Sequence, residues 1–459
     1  MHSSFTSFNP DELSDFARYY GFHYDIADPV TLVRDALIDM ERGLRGQSSS
    51  LPMIPTYLSP VSHVPPGKAV IALDAGGTNL RAALVRFNET GKAVAESSKK
   101  IPMPGTQGQL SAEQFFDAIA EVAAPLIEKA GNPGMANTIE GIGFTFSYPM
   151  KITKEADGIL MAFSKEVDAP DVIGKSIGQG LRDALARKKV QVPDRIVLLN
   201  DTVATLLSGL AAIPPDGGLR QGADQYGVAR GPVIGFILGT GFNTAYPEKS
   251  IPKIGFASES APQIVVCEAG TFSHRYMGIL DKEYDGLTKN PGAYTLEKVS
   301  SGAYLGPLTF HILKQAIRDG LLKFKKSDEF LRWPTLQTRD LNGFMHAPLS
   351  AQGPIGELFG LDEGDALASF VYLTSIVTER AALFSAAMVA AAVERIGAYN
   401  PFAPVRIAVE GTTYMIYQGM RTALESWLHT MLASGKPHPY IIAPVEQASL
   451  FGAAVAALS

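Results

Sequence analysis

Two short glycine turns in this chain have the residue types that hold phosphate. In the run Leu73-Asp74-Ala75-Gly76-Gly77-Thr78-Asn79, a carboxylate ends an apolar, strand-like segment beside amides that two glycines leave accessible. Gly239-Thr240-Gly241 repeats the pattern later in the chain. Glycine lets backbone N–H groups approach phosphate oxygens closely. Asp74 could then position a hydrated Mg²⁺ between phosphates. Each turn alone reads more readily as a plain hairpin; the pair favours a nucleotide clamp. A third feature is Asn200-Asp201 at the end of the apolar run Ile196-Val197-Leu198-Leu199. Strand ends are where α/β proteins place their chemistry. Both residues are also good helix caps before Thr202-Val203-Ala204, and the two roles are compatible.

Other fingerprints fail on spacing or context. Gly174-Lys175-Ser176 resembles the end of a Walker A loop, but the glycine required at position 169 is Ala169. Gly239-Thr240-Gly241-Phe242-Asn243-Thr244 lacks the last glycine of a dinucleotide fingerprint. Gly174, Ser176 and Gly178 fit a hydrolase elbow, but Asp168-Ala169-Pro170-Asp171-Val172 precedes them in place of a buried strand. The acceptor patterns at Asn88 and Asn200 lack a secretory context. The eight histidines form no metal-ligand spacing, so no direct protein metal cage is expected.

The elements around these residues alternate between strand and helix texture. Ala69–Phe87 and Pro232–Pro247 each read as strand, glycine turn, strand. Ser111 caps an amphipathic helix over 112–130. Gly141–Met150 and Asp194–Asp201 read as strands, the latter running into a helix at Thr202. Val405–Tyr414 is a strand ending in a glycine turn, and Val445–Leu458 a closing helix of small residues. Residues 10–46 are expected to be helical, with Asp11 as a cap. Residues 214–231 read as a surface loop. The two hairpins suggest a pseudo-duplicated α/β architecture. The apolar run Ala381–Val393 spans about 13 residues, short of the roughly 20 needed to cross a bilayer. It is expected to be a buried core helix.

The 459 residues need more than one core. Hydrophobic residues are 46% and charged residues 19%, an ordinary globular balance. A net charge of −6 disfavours a generic nucleic-acid binder. The single cysteine, Cys267, excludes an intramolecular disulfide and CxxC zinc sites. It is expected to be a buried filler. No secretory signal or membrane span is evident, so a cytoplasmic location is expected.

Leu73–Val85, Gly143–Pro149, Leu198–Leu206, Gly239–Tyr246, Glu268–Phe272, Asn290–Gly306 and Val409–Tyr414 together resemble, in this order, the hexokinase/glucokinase family of the actin-like sugar kinase superfamily. The likeness is to the large, eukaryotic-pattern hexokinases. It implies a two-lobed, ribonuclease-H-like α/β fold with duplicated mixed sheets flanked by helices. The expected small lobe is 67–200 plus 444–459, and the large lobe 1–66 plus 201–443. The implied reaction is ATP-dependent phosphorylation of a hexose, first of all glucose, at its 6-hydroxyl, with Mg²⁺ accompanying the nucleotide. Asp201 matches the general base and Lys165 the cleft lysine. Ser147, Ser164, Asn200, Asn243, Glu268 and Glu297 match sugar contacts. Asp74, Gly76, Gly77, Thr78, Asn79 and Arg81 match the first phosphate segment, and Gly239, Thr240 and Gly241 the second. Gly411, Thr412 and Ser449 match the adenosine side. Hexose and ATP are the implied partners; nucleic acid and membrane are not.

The chain departs from the family pattern at four places. Ser164-Lys165 replaces Thr-Lys. Glu268-Ala269-Gly270 replaces Glu-Trp-Gly, so the wall beside Glu268 is expected to lose an indole. Tyr294 stands where a glutamine commonly helps bind sugar, and Glu410 where aspartate is usual. Two alternatives stay open at this level: a non-catalytic sugar sensor on the same fold, and a kinase for another hexose or an amino sugar.

Overall fold

The computed structural model describes residues 7–60, 64–89, 91–130, 139–163, 167–211, 231–397, 403–433 and 438–459. The first half of the chain forms α1 (Pro10–Tyr19), α2 (Pro29–Leu44), β1 (Ile54–Pro55), β2 (Ala69–Ala75), β3 (Asn79–Phe87), β4 (Ala93–Pro102), α3 (Ala112–Ala130), β5 (Ile142–Phe146), β6 (Met150–Ile152), β7 (Gly158–Leu160), α4 (Ile177–Arg187), β8 (Ile196–Leu199) and α5 (Asp201–Ala211). The second half adds strands β9 (Val233–Leu238), β10 (Phe242–Glu248), β11 (Ser250–Ile251), β12 (Phe256–Ala257), β13 (Gln263–Val266), β14 (Val405–Glu410) and β15 (Tyr440–Pro444). Its helices are α6 (Ile279–Gly286), α7 (Thr295–Ser300), α8 (Leu305–Arg318), α9 (Ser327–Leu331), α10 (Thr338–His346), α11 (Gly353–Gly356), α12 (Gly364–Ile396), α13 (Thr412–Ile416), α14 (Met420–Ala433) and α15 (Ala448–Ala456).

Two mixed sheets share one topology. The first runs β4-β3-β2-β5-β8 and the second β1-β13-β10-β9-β14-β15. In each, an antiparallel hairpin (β2–β3, β9–β10) is followed by a strand parallel to the hairpin's first strand (β5, β14). With the edge strand β1 set aside, both sheets have the order 3-2-1-4-5. The duplication that the hairpin texture suggested is therefore a duplication of topology.

α5 and α15 pack against both the sheets and each other, and glycines set how close they come. A Cβ at Gly143 on β5 would lie 1.7 Å from the carbonyl oxygen of Ala453 on α15. One at Gly235 on β9 would lie 2.2 Å from the carbonyl oxygen of Thr202 on α5. One at Gly452 on α15 would lie 2.0 Å from the Ala204 carbonyl oxygen on α5. Only hydrogen fits at these contacts.

Two local expectations change. The 10–46 stretch is two helices parted by a short 3₁₀ turn at Tyr24–Ile26. Asn9, not Asp11, caps α1, its Oδ1 accepting from the Asp11 and Glu12 amides at 3.2 and 3.3 Å. The reason is Pro10, whose fixed φ and missing N–H suit the first helical position and leave the residue before it as the cap. Asp28 caps α2 in the same way ahead of Pro29. The apolar run Ala381–Val393 is part of the much longer α12, of 33 residues. That helix is long and apolar enough to cross a membrane, but 94% of its most apolar window is buried inside the fold. It is the axis of the larger core, as the Ala-rich run suggested. Arg380, which immediately precedes the run, is fully buried. It donates from two nitrogens to Asp281 at 2.7 and 2.8 Å.

Candidate active site

The first turn is built by the β2–β3 hairpin. Asp74 pairs in register with Arg81 on β3 and with Thr145 on β5. The Gly76 amide closes the turn on the Asn79 carbonyl at 3.0 Å, and Asn79 Nδ2 donates to Thr78 Oγ1 at 2.7 Å. Ser147 sits just past β5, its amide donating to the Ala75 carbonyl at 3.1 Å. Tyr148 Oη donates to the Gly76 carbonyl at 2.9 Å. This hydroxyl fixes the turn from outside, a support the sequence reading missed.

The second turn is the β9–β10 connection. The Gly239 amide donates to the Gly241 carbonyl at 3.0 Å. The Gly239 carbonyl accepts from the Gly302 amide and from Thr413 Oγ1, each at 2.8 Å. The Thr240 carbonyl accepts from the Ala303 amide at 3.1 Å. Gly411 lies against this turn with φ of 125°, and a Cβ there would be 2.3 Å from the Leu238 carbonyl oxygen. Gly239, Thr240, Gly241, Gly411 and the exposed Thr412 thus form one crowded knot of backbone.

Asn200 and Asp201 open α5, and their helix-capping role is visible. Asn200 Oδ1 and Asp201 Oδ1 each accept from the Thr202 amide at 2.8 Å. Both side chains are half-buried. Across from them, Asn243 on β10 donates through Nδ2 to Glu268 Oε1 at 3.2 Å. Its Oδ1 accepts from the Thr244 amide at 2.8 Å and the Ala269 amide at 3.1 Å. Three bonds fix the amide plane of Asn243 and orient the carboxylate beside it. Glu268 itself is in the left-handed region, φ 56°. Glu297 Oε2 accepts from the Phe242 amide at 3.1 Å. A Cβ at Gly241 or Gly270 would stand 3.0 Å from that oxygen, so both glycines make room for it.

Electrostatics tie these groups into one cluster. Burial, then the negative charge of Asp201, pushes the Glu268 carboxyl up to about 7. Burial and Asp201 also raise Glu297, against the bond from the Phe242 amide. Glu410, at the end of β14, is pushed up to about 7 by burial, then by Asp201 and Asp74; the Ala448 amide and Arg81 oppose the shift. Asp201 therefore lies within electrostatic reach of carboxylates on the second sheet, and Glu410 within reach of Asp74 on the first.

Glu410 was noted in the sequence only as a departure, not as a site residue. The signal available was its place at the end of the buried strand Val405–Val409, just before the glycine turn. Ser449 lies on α15, where its carbonyl accepts from Thr145 Oγ1 at 2.7 Å. Ser164 and Lys165 lie outside the described residues. Ala269, which stands where the family has an indole, is fully buried in the larger core beside Glu268. Cys267 is fully buried, and burial pushes its thiol up to about 12, as suits a core filler.

Comparison with known proteins bears on the family and the fold. Two hexokinase family models match residues 21–211 and 233–459. Hexokinase-2 of Candida albicans is 27% identical over 450 residues, covering 93% of this chain and 87% of that relative. Hexokinase-3 of Homo sapiens is 31% identical over 395 residues, or 82% of this chain, but the match covers only 40% of that longer relative. The solved hexokinase from Schistosoma mansoni, complexed with glucose, superposes with a TM-score of 0.74 at 22% identity, over 98% of this chain and 99% of that one. Family models spanning both halves, and a fold shared end to end, identify this chain as a member of the hexokinase family, an ATP-dependent hexose kinase of the two-lobed, actin-like sugar kinase fold.

Proposed function

We propose that the chain transfers the γ-phosphoryl group of ATP to the 6-hydroxyl of glucose, with Asp201 as general base. The observation that carries this reading is the convergence on Asp201 of Glu268 and Glu297, with Asn243 bonded to Glu268. Ring hydroxyls need planar acceptors and donors at several angles, which Asn200, Asn243, Glu268 and Glu297 supply. Ser147, Ser164 and Lys165 complete the proposed sugar contacts.

Asp201 would accept the proton of the 6-hydroxyl as that oxygen bonds to phosphorus and the β–γ bridging oxygen leaves with ADP. Phosphoryl transfer through a loose transition state depends mainly on positioning and charge neutralisation. Lys165 would offset charge that develops on the transferring group. Gly76, Gly77, Thr78, Asn79 and Arg81 would line one side of the phosphates, and Gly239, Thr240 and Gly241 the other. Gly411, Thr412 and Ser449 would border the adenosine. The donor set around Asp74 suits a hydrated cation: it is a strand-end carboxylate with Glu410 within electrostatic reach. Asp74 would hold Mg²⁺ through water, and the ion, when bound with ATP, supplies neutralisation of phosphate charge.

The test is a coupled assay with Mg·ATP and glucose, mannose, fructose, glucosamine and N-acetylglucosamine. Glucose is expected to have the highest kcat/KM. Asp201→Ala is expected to lose about 10³-fold in kcat, the usual scale for a positioned base. Near-normal turnover by a folded Asp201→Ala protein would sink the assignment. Hexose binding without turnover in the natural chain would favour a sensor.

A further inference from the structure

Lys298 follows Glu297 on α7, and only 2% of its side chain is exposed. Its ammonium pairs with Asp285, itself 15% exposed, and donates to the Asn290 carbonyl at 2.7 Å. The other Asp285 oxygen accepts from the Gly292 amide at 2.7 Å. The segment between is exposed at Gly286, Leu287 and Lys289–Gly292. It ends at Tyr294, which holds φ of 55° while 41% exposed. Tyr294 then accepts, through its carbonyl, the Lys298 amide at 3.0 Å. The buried ammonium thus pins the exposed loop at Asp285 and Asn290, and the backbone amide of the same lysine closes its far end on Tyr294.

Stability is a poor explanation for this pair. Burying two charges costs desolvation that their attraction often only balances, and an apolar replacement of both is often neutral. A bulky residue in the left-handed region is also unfavourable and persists only where its surroundings over-determine it. Two costly features meet at the start of the helix that carries Glu297. We propose that the Lys298–Asp285 pair is a positioning device for the hexose site, fixing Tyr294 and Glu297 at its rim by holding segment 286–294 against the start of α7. This rests on the hexose site proposed above.

The test is the double variant Lys298→Met with Asp285→Leu, alongside the near-isosteric Asp285→Asn. Hexose KM is expected to rise about tenfold in both, with the KM for ATP and kcat within about twofold, the mark of lost ground-state positioning. Amide exchange at Gly292 and Lys298 is expected to accelerate. The double variant's unfolding midpoint is expected to stay near that of the natural chain. An unchanged hexose KM in either folded variant would overturn the proposal, as would a lowered midpoint with unchanged KM, the signature of a purely structural pair. Should the double variant fail to fold, Asp285→Asn alone decides by the same KM split. Absence of hexose turnover in the natural chain would instead overturn the site reading, and the natural-chain control separates that failure from failure of the clamp.

Discussion

Glu410 and Glu268 show how single carboxylates report on the site. Both have folded pKa values near 7, above the ordinary 4.5, so the folded chain binds protons that the unfolded chain releases. The sign follows from linkage: their favourable contribution is full below about 4.5 and is lost as pH rises through about 7. Glu410→Gln removes a charge crowded by Asp201 and Asp74. Its thermal midpoint is expected to exceed that of the natural chain at pH 8 and to match it near pH 4. An equal midpoint at pH 8 would show that Glu410 ionises without cost. Asp201 and Asn200 were legible in the sequence because an apolar strand ended on them just before a helix began. Glu410 was not, because its approach to Asp74 depends on β14 pairing with β9, some 170 residues earlier in the chain. The left-handed backbone at Glu268 was not legible either, since a non-glycine residue there gives no local signal of it.

Helix α12 makes the same point for elements. An apolar run is visible in sequence, but the helix that contains it extends from Gly364 to Ile396 and carries a buried cation. Arg380 spans to Asp281 on α6, and Asp281 also accepts from the Gly278 amide at 2.9 Å. Removing one partner of a fully buried bidentate pair leaves a stranded charge, which costs about 3–5 kcal/mol, whereas removing both is far milder. Arg380→Met is therefore expected to lower stability on that scale in urea unfolding, and Arg380→Met with Asp281→Leu to recover most of the loss. If the double variant is no more stable than the single one, the cost lies in packing around Arg380 and not in the abandoned carboxylate. Hairpins were the most legible elements, since glycine turns between β-branched runs specify them locally. The pairing of α6 with α12 is not local, and no periodicity announces it.

At the scale of the molecule, the proposed parts of the site are divided between the two sheets. Asp74 and Arg81 belong to the first; Asn243 and Glu410 belong to strands of the second, and Glu268 follows directly on one of them. Asp201 begins α5, which packs through backbone contact at Gly235 on the second sheet. The first sheet is joined by a similar contact of Gly143 with α15. The helices α5 and α15 lie where the two sheets meet. Transfer requires the attacking oxygen and phosphorus to come within about 3–3.5 Å. If hexose and nucleotide are held by separate halves, as proposed, relative motion of the halves would bring them to that distance and expel water that would otherwise take the phosphoryl group. Glucose is therefore expected to reduce the radius of gyration in small-angle scattering, and Asn243→Ala to weaken that response by raising the glucose concentration it requires. The same closure is expected to keep ATP hydrolysis slow in the absence of sugar. An unchanged radius at saturating glucose, with turnover intact, would show that the two halves already stand at reacting distance and that the site works without closing.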